Sequence, residues 1–171
     1  MIAMKINKTI VLVGLMGAGK STVGQRLAER LELEFVDVDS EAEKREGLTV
    51  SEIFKQKGEK YFRQLELKII DEKLSGKPHV LATGGGAFIN DDIRKLVKEK
   101  ATSVWLRAGL DMLLERVSRN DARPLLQGGD RKEVLERLLK ERNPIYAEAD
   151  LIVDSDQGPH YKVVDQIIWK L

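Results

Sequence analysis

Residues 9–13, Thr-Ile-Val-Leu-Val, run straight into Gly14-Leu15-Met16-Gly17-Ala18-Gly19-Lys20-Ser21. A β-branched and aliphatic run with no polar alternation predicts a strand covered on both faces, as in parallel sheets. The octet after it satisfies G-x-x-x-x-G-K-[ST] in the strand-to-helix setting that gives the pattern its meaning. Its glycines let backbone N–H groups turn inward around phosphate oxygens, and the helix that follows adds a partial positive charge at the same place. Lys20 has the reach to touch β- and γ-phosphates, and the Ser21 hydroxyl can ligate Mg²⁺. The helix after the loop shows an apolar stripe at Val23, Leu27 and Leu31, widened by Ala28.

Alternation of strand and helix continues along the chain. A second strand is predicted over 34–38, and Ser40 with Glu43 forms a capping-box pattern that predicts a helix start there. Thr49 with Glu52 repeats that spacing, and Gly58 separates this helix from a stripe at Phe62, Leu65, Ile69, Ile70 and Leu74. These two helices are an insertion in the alternating pattern. Residues 80–82, 104–106 and 151–153 bring the count to about five strands with helical patterns between them, which predicts a parallel sheet with helices on both faces. The segment 118–129 holds Arg119, Arg123, Pro124, Gly128 and Gly129 between two helical patterns, a composition suited to a mobile lid.

With 171 residues, 42% of them hydrophobic and 33% charged, the chain suits a single domain, 1–171, with its own core. The 29 Lys and Arg against 28 Asp and Glu leave a formal charge of +1, which argues against nucleic acid as a partner. Absence of cysteine excludes disulfides and thiolate metal sites and fits a reducing cytoplasm. Lys5 and Lys8 ahead of the uncharged run 9–19 faintly imitate a secretory signal, but that run is too short to span a membrane and ends in Gly-Lys-Ser-Thr.

Further residues carry chemistry with alternatives attached. Asp37 and Asp39 at a strand end put two carboxylates on one face beside the phosphate loop, suited to holding Mg²⁺ and orienting an acceptor hydroxyl; an exposed acidic turn shows the same spacing. Gly84, Gly85 and Gly86 either let backbone approach a ligand or make a tight turn. Arg63 with Glu66 one turn on is either a guanidinium aimed at an anion or a solvated pair, and Arg142 before Asn143-Pro144 has the same ambiguity. His79 and His160 show no metal-ligand spacing and are read as non-catalytic.

Taken together, residues 14–22, Asp37-Val38-Asp39, Gly58-Glu59 with Phe62-Arg63 and Glu66, Thr83-Gly84-Gly85-Gly86, Arg123-Pro124-Leu125-Leu126 and Arg142-Asn143-Pro144-Ile145-Tyr146 resemble the shikimate kinase family, and they do so over nearly the whole chain. The resemblance implies a three-layer α-β-α P-loop kinase fold with a central five-stranded parallel sheet, a helical substrate-binding region at about 39–66 and a lid at about 118–129. It implies transfer of the γ-phosphoryl group of ATP to the 3-hydroxyl of shikimate, on the route to chorismate and the aromatic amino acids, by a cytoplasmic monomer with no membrane partner.

By the same resemblance Lys20, Asp39 and Arg123 are catalytic, and Gly17, Ala18, Gly19, Lys20, Ser21, Thr22, Arg116 and Arg123 bind ATP. Asp39, Arg63, Gly84, Gly85, Gly86 and Arg142 bind shikimate, with Glu66 orienting Arg63, and Ser21 and Asp37 hold Mg²⁺. Val38 stands where the family commonly has a small polar residue, and the lid outside 123–126 varies too much to give Arg119 or Asp121 a role. With no second unit ahead of Lys8, the chain resembles the free-standing form. A gluconate or nucleoside-monophosphate kinase would share the loop and lid but not the pair Arg63 and Arg142 with the glycine triplet. A nucleotide-binding regulatory module would not need Lys20, Ser21, Asp37, Asp39 and Arg123 intact.

Overall fold

Strand β1 (Thr9–Val13) is buried at every position and lies at the centre of a five-stranded sheet of order β2-β3-β1-β4-β5. The other strands are β2 (Phe35–Asp37), β3 (Val80–Ala82), β4 (Ala101–Arg107) and β5 (Leu151–Asp154), and every pairing is parallel. The computed structural model describes residues 4–117, 130–155 and 158–171. The expected lid at 118–129, with Arg119, Asp121, Arg123 and Pro124, lies outside the described residues.

The helices are α1 (Lys20–Leu31), α2 (Val38–Glu46), α3 (Val50–Lys57), α4 (Glu59–Leu74), α5 (Asp91–Lys100), α6 (Leu110–Val117), α7 (Arg131–Tyr146) and α8 (His160–Lys170). They make a three-layer α/β arrangement in which α1 packs on α8 and on β3, while α5 packs on β4 next to α4. Ile10, Leu12, Val23, Leu27, Leu81 and Ile93 are at or near complete burial in the shared core, each contributing about 1.5–3 kcal/mol by leaving water. No described helix is long and apolar enough to cross a membrane.

Register decides where the chemistry collects. Asp37 pairs with Ala82 and Ala82 with Leu12, so β2, β3 and β1 leave the sheet at one level. Thr83 fastens this edge by donating from both its N–H and its hydroxyl to the Leu12 carbonyl, at 3.2 and 2.8 Å. The start of α2, the glycine triplet and the phosphate loop therefore begin side by side at the carboxyl ends of the strands, where open α/β sheets bind ligands.

Two local expectations need correction. Helix α2 starts at Val38, because the Asp37 side chain accepts from the Ser40 N–H at 3.1 Å and so caps the helix ahead of Ser40. The strand stops at Asp37, and Asp39 lies in the first helical turn, so the two aspartates do not share a strand face. Thr49 does cap α3 as the pattern predicts, accepting from Glu52 N–H and donating to its carboxylate at 3.1 Å each. Helix α8 had no expectation attached to it; Val163, Val164 and Ile167 form its buried stripe.

Candidate active site

Gly19 caps α1 in the left-handed region, at φ 95°, a conformation open to glycine at no steric penalty. A Cβ there would stand 2.9 Å from Arg116 Nη1 and 3.5 Å from the His160 ring. Arg116 comes from α6 and donates to the Gly17 carbonyl at 3.0 Å, so its guanidinium lies over the loop. Lys20 is buried, with Nζ donating to the Gly14 and Leu15 carbonyls at 2.5 and 2.9 Å. Gly17, Gly19, Ser21 and Thr22 line a cleft of about 280 Å³ together with Lys20. Ala18 differs: its side chain is buried and its N–H donates to the Leu15 carbonyl.

Asp37 and Asp39 reach this cleft from different directions. Ser21 Oγ donates to Asp37 Oδ2 at 2.5 Å, joining the loop to the end of β2. Two hard oxygens so placed, one of them a carboxylate, fit Mg²⁺, which takes one or two protein oxygens and completes its shell with phosphate and water. Among the described residues no group of three or more His, Cys, Asp or Glu forms a metal cage. Asp39 instead faces the glycine triplet, its Oδ1 lying 2.9 Å from where a Cβ on Gly84 would be.

The triplet does turn, with Ala87 N–H donating to the Gly84 carbonyl at 3.2 Å, but none of its glycines has a positive φ, so close approach explains the residue type. Glu66 Oε2 lies 3.0 Å from the same Gly84 position, and Arg63 Nη2 lies 2.4 Å from where a Cβ on Gly86 would be. The Gly85 carbonyl accepts from Arg142 Nη1 at 3.2 Å and also from the Tyr146 hydroxyl. Arg142 and Tyr146 sit one turn apart on α7, and the Tyr146 ring packs on Trp105 at 5.8 Å between centroids. Burial pushes the Tyr146 hydroxyl up to about 12, so it is a donor at any ordinary pH.

Arg63 and Glu66 are not a solvated pair. Glu66 has no exposed side-chain surface, and its Oε1 accepts from Arg63 Nη1 at 3.0 Å. Burial pushes its carboxyl up to about 7 against the opposing pull of Arg63, with Asp39 adding to the rise and Lys20 opposing it. The guanidinium stacks near Phe62 and Phe54, at 5.5 and 5.9 Å from their ring centres, and the side chain keeps 19% exposure.

Three residues that line the cleft, Met16, Thr83 and His160, had no role in the sequence reading, and His160 comes from the N-terminus of α8, far in sequence from any motif. Its imidazole is held below its ordinary range by burial and by Arg116 and Arg26.

With this geometry in place, comparison with known proteins decides the family. A family profile described as shikimate kinase matches residues 16–171. The chain belongs to the shikimate kinase family. A shikimate kinase of Paramagnetospirillum magneticum is 54% identical over 161 residues, covering 94% of this chain and 83% of that protein. The solved structure of shikimate kinase from Acinetobacter baumannii in complex with shikimate superposes with a TM-score of 0.92 at 40% identity, over 96% of this chain and 92% of that one. A gluconokinase from Sinorhizobium meliloti shares the fold alone, with TM-score 0.63 and 21% identity over 95% of this chain and 90% of that one.

Proposed function

We propose that this chain, as an ATP-dependent kinase of the shikimate kinase family, transfers the γ-phosphoryl group of ATP to the 3-hydroxyl of shikimate, giving shikimate 3-phosphate and ADP. The observation that carries the acceptor assignment is the approach of two guanidiniums, Arg63 and Arg142, to adjacent glycines, 86 and 85, at the end of the strand next to the phosphate loop. Guanidinium grips a carboxylate in a planar, two-point fashion, so the pair selects an anionic acceptor and sets its orientation.

The remaining roles follow from position. The 17–22 backbone cradles the phosphates, and Arg116 covers the nucleotide from α6. Lys20 leaves the Gly14 and Leu15 carbonyls for the phosphates and stabilises charge on the transferring group. Gly84, Gly85 and Gly86 present backbone to the acceptor. Asp39 orients the 3-hydroxyl; that oxygen forms a bond to the γ-phosphorus as the bond from phosphorus to the bridging oxygen of ADP breaks, and the hydroxyl proton passes late to the Asp39 carboxylate. The transition state is loose, so positioning and charge stabilisation do most of the catalysis.

Ser21 and Asp37 would hold Mg²⁺, which when bound neutralises charge on the β- and γ-phosphates. Arg123 and the 118–129 lid would close over the donor and exclude water. We further take 1–171 as one domain with its acceptor region at about 39–66, acting as a cytoplasmic monomer without membrane or nucleic-acid partners; the absence of cysteine fits a reducing compartment, and the near-balanced charge argues against nucleic acid.

The test is ADP release from ATP with Mg²⁺ and shikimate, gluconate, AMP, CMP or no acceptor, with identification of the product. Turnover that requires shikimate and yields shikimate 3-phosphate is the expected result. Equal turnover on gluconate, or none on shikimate, overturns the acceptor assignment.

A further inference from the structure

We infer that binding of the anionic acceptor is coupled to uptake of a proton from solvent on Glu66, which frees the charge of Arg63 for the incoming carboxylate. This rests on the carboxylate grip proposed above. Glu66 is completely buried, yet only one of its oxygens is served: Oε1 accepts from Arg63, while Oε2 has no hydrogen-bond partner. An ionised carboxylate can accept about four hydrogen bonds, and a buried one so poorly satisfied is strongly disfavoured. The orphan Oε2 and Asp39 Oδ1 both lie about 3 Å from the same point above Gly84, which puts two carboxylates within about 6 Å of each other.

The groups facing Glu66 can be counted by element. Arg63 belongs to α4, as does Glu59, which draws on the other edge of that guanidinium at 3.4 Å from an exposed position. Asp39 faces it from α2, Lys20 from α1, and Tyr146 from α7, where Arg142 stands one turn away. Lys20, also held by the Gly14 and Leu15 carbonyls, acts on Glu66 with Arg63, so the cations Lys20 and Arg63, with Arg142 beyond, stand against the carboxylates of Glu66 and Asp39.

An acceptor carboxylate adds one negative charge to this enclosed set. Glu66 is the member least able to remain ionised, since burial has already pushed it up to about 7. One proton on Oε2 removes the repulsion between Glu66 and the incoming carboxylate, turns the orphan acceptor into a donor facing Asp39, and leaves Arg63 a single anionic partner inside the pocket. Glu66 is therefore a positioning residue that acts through Arg63, and its protonation state sets the strength of the grip.

Calorimetric titration of shikimate into the full chain, repeated in phosphate, HEPES and Tris at pH 7.5, reads the proton count as the slope of observed heat against buffer ionisation heat. The expected slope corresponds to uptake of roughly half to three-quarters of a proton, shrinking toward zero near pH 5.5, where Glu66 is already protonated. Glu66→Gln should bind shikimate with a slope near zero and with an affinity that no longer weakens between pH 6.5 and 8.5. A wild-type slope of zero at every pH overturns the inference without recourse to the variant, and so does an unchanged slope in Glu66→Gln. Failure to bind shikimate at all overturns the carboxylate grip itself, an outcome distinct from binding without buffer dependence.

Discussion

Gly86→Ala separates the acceptor grip from the fold. Gly86 has φ −98° and ψ −2°, values of the third residue of a type I turn, which alanine tolerates, so the backbone needs no change. The added methyl carbon would stand 2.4 Å from Arg63 Nη2, 2.8 Å from Cζ and 2.9 Å from Nη1. Comfortable contact needs roughly 3.5 Å, so the guanidinium must retreat by about 1 Å. It is the far end of a flexible, partly exposed side chain, so it gives way before the backbone does. A shift of that size breaks the 3.0 Å bond to Glu66 and spoils the alignment toward the acceptor. Losing one charge-assisted interaction is worth about 2 kcal/mol, roughly a 30-fold rise in the shikimate KM. Stability falls by roughly 1–2 kcal/mol, because the 0.4–1 kcal/mol or so that alanine gains through the unfolded chain offsets only part of the lost pair. Steady-state kinetics with each substrate varied, alongside thermal melting, reads both effects. A shikimate KM within about twofold of wild type in a folded variant refutes the assignment of Arg63, and a collapse in Tm refutes the claim that Arg63 yields first.

Lys20→Ala should lower kcat by at least about 10²–10³-fold while the variant still folds, since it deletes charge stabilisation at the transferring group; an unchanged kcat removes Lys20 from the mechanism. Arg142→Ala leaves the Gly85 carbonyl with Tyr146 and so keeps the local structure, but should raise the shikimate KM by roughly 30-fold or more with the ATP KM unmoved; the reverse pattern counts against the grip. Glu66→Gln should alter how stability depends on pH. Its carboxyl is raised from 4.5 to about 7 in the folded chain, so Glu66 contributes stability that is complete below about pH 4.5 and is lost as pH rises through 7. The difference between wild-type and variant unfolding free energies should change by roughly 3 kcal/mol between pH 4.5 and 8, and parallel curves would show that burial does not perturb this group.

The donor half of the cleft was legible because its parts are neighbours in sequence. Strand β1, the glycine loop, Lys20 and Ser21 form one continuous segment, so apolar patterning and the loop motif locate them together. Even nearby, competition between caps defeated spacing: Asp37 outcompeted Ser40 for the α2 terminus, and that moved Asp39 from a strand face to a helical turn. His160 had no local signal at all, because it enters the cleft only through the packing of α8 on α1.

The acceptor half depends on contacts between distant segments, and its ambiguities were of that kind. Whether Arg63 and Glu66 formed a solvated pair turned on burial, which α4 acquires by packing against α2, α3 and α5. Whether Gly84, Gly85 and Gly86 made a turn or a ligand surface turned on what lies above them: Asp39 and Glu66 crowd the first, Arg142 and Tyr146 reach the carbonyl of the second, and Arg63 covers the third. The three glycines are thus crowded differently, Gly84 by Asp39 and Glu66, Gly85 by the Met16 backbone N at 3.3 Å and Gly86 by Arg63. A substitution in the phosphate loop therefore acts on the phosphoryl donor directly, whereas one at Gly84 or Gly86 acts on acceptor selection through a displaced carboxylate or arginine. That difference is why a KM split between the two substrates distinguishes the two halves of the cleft.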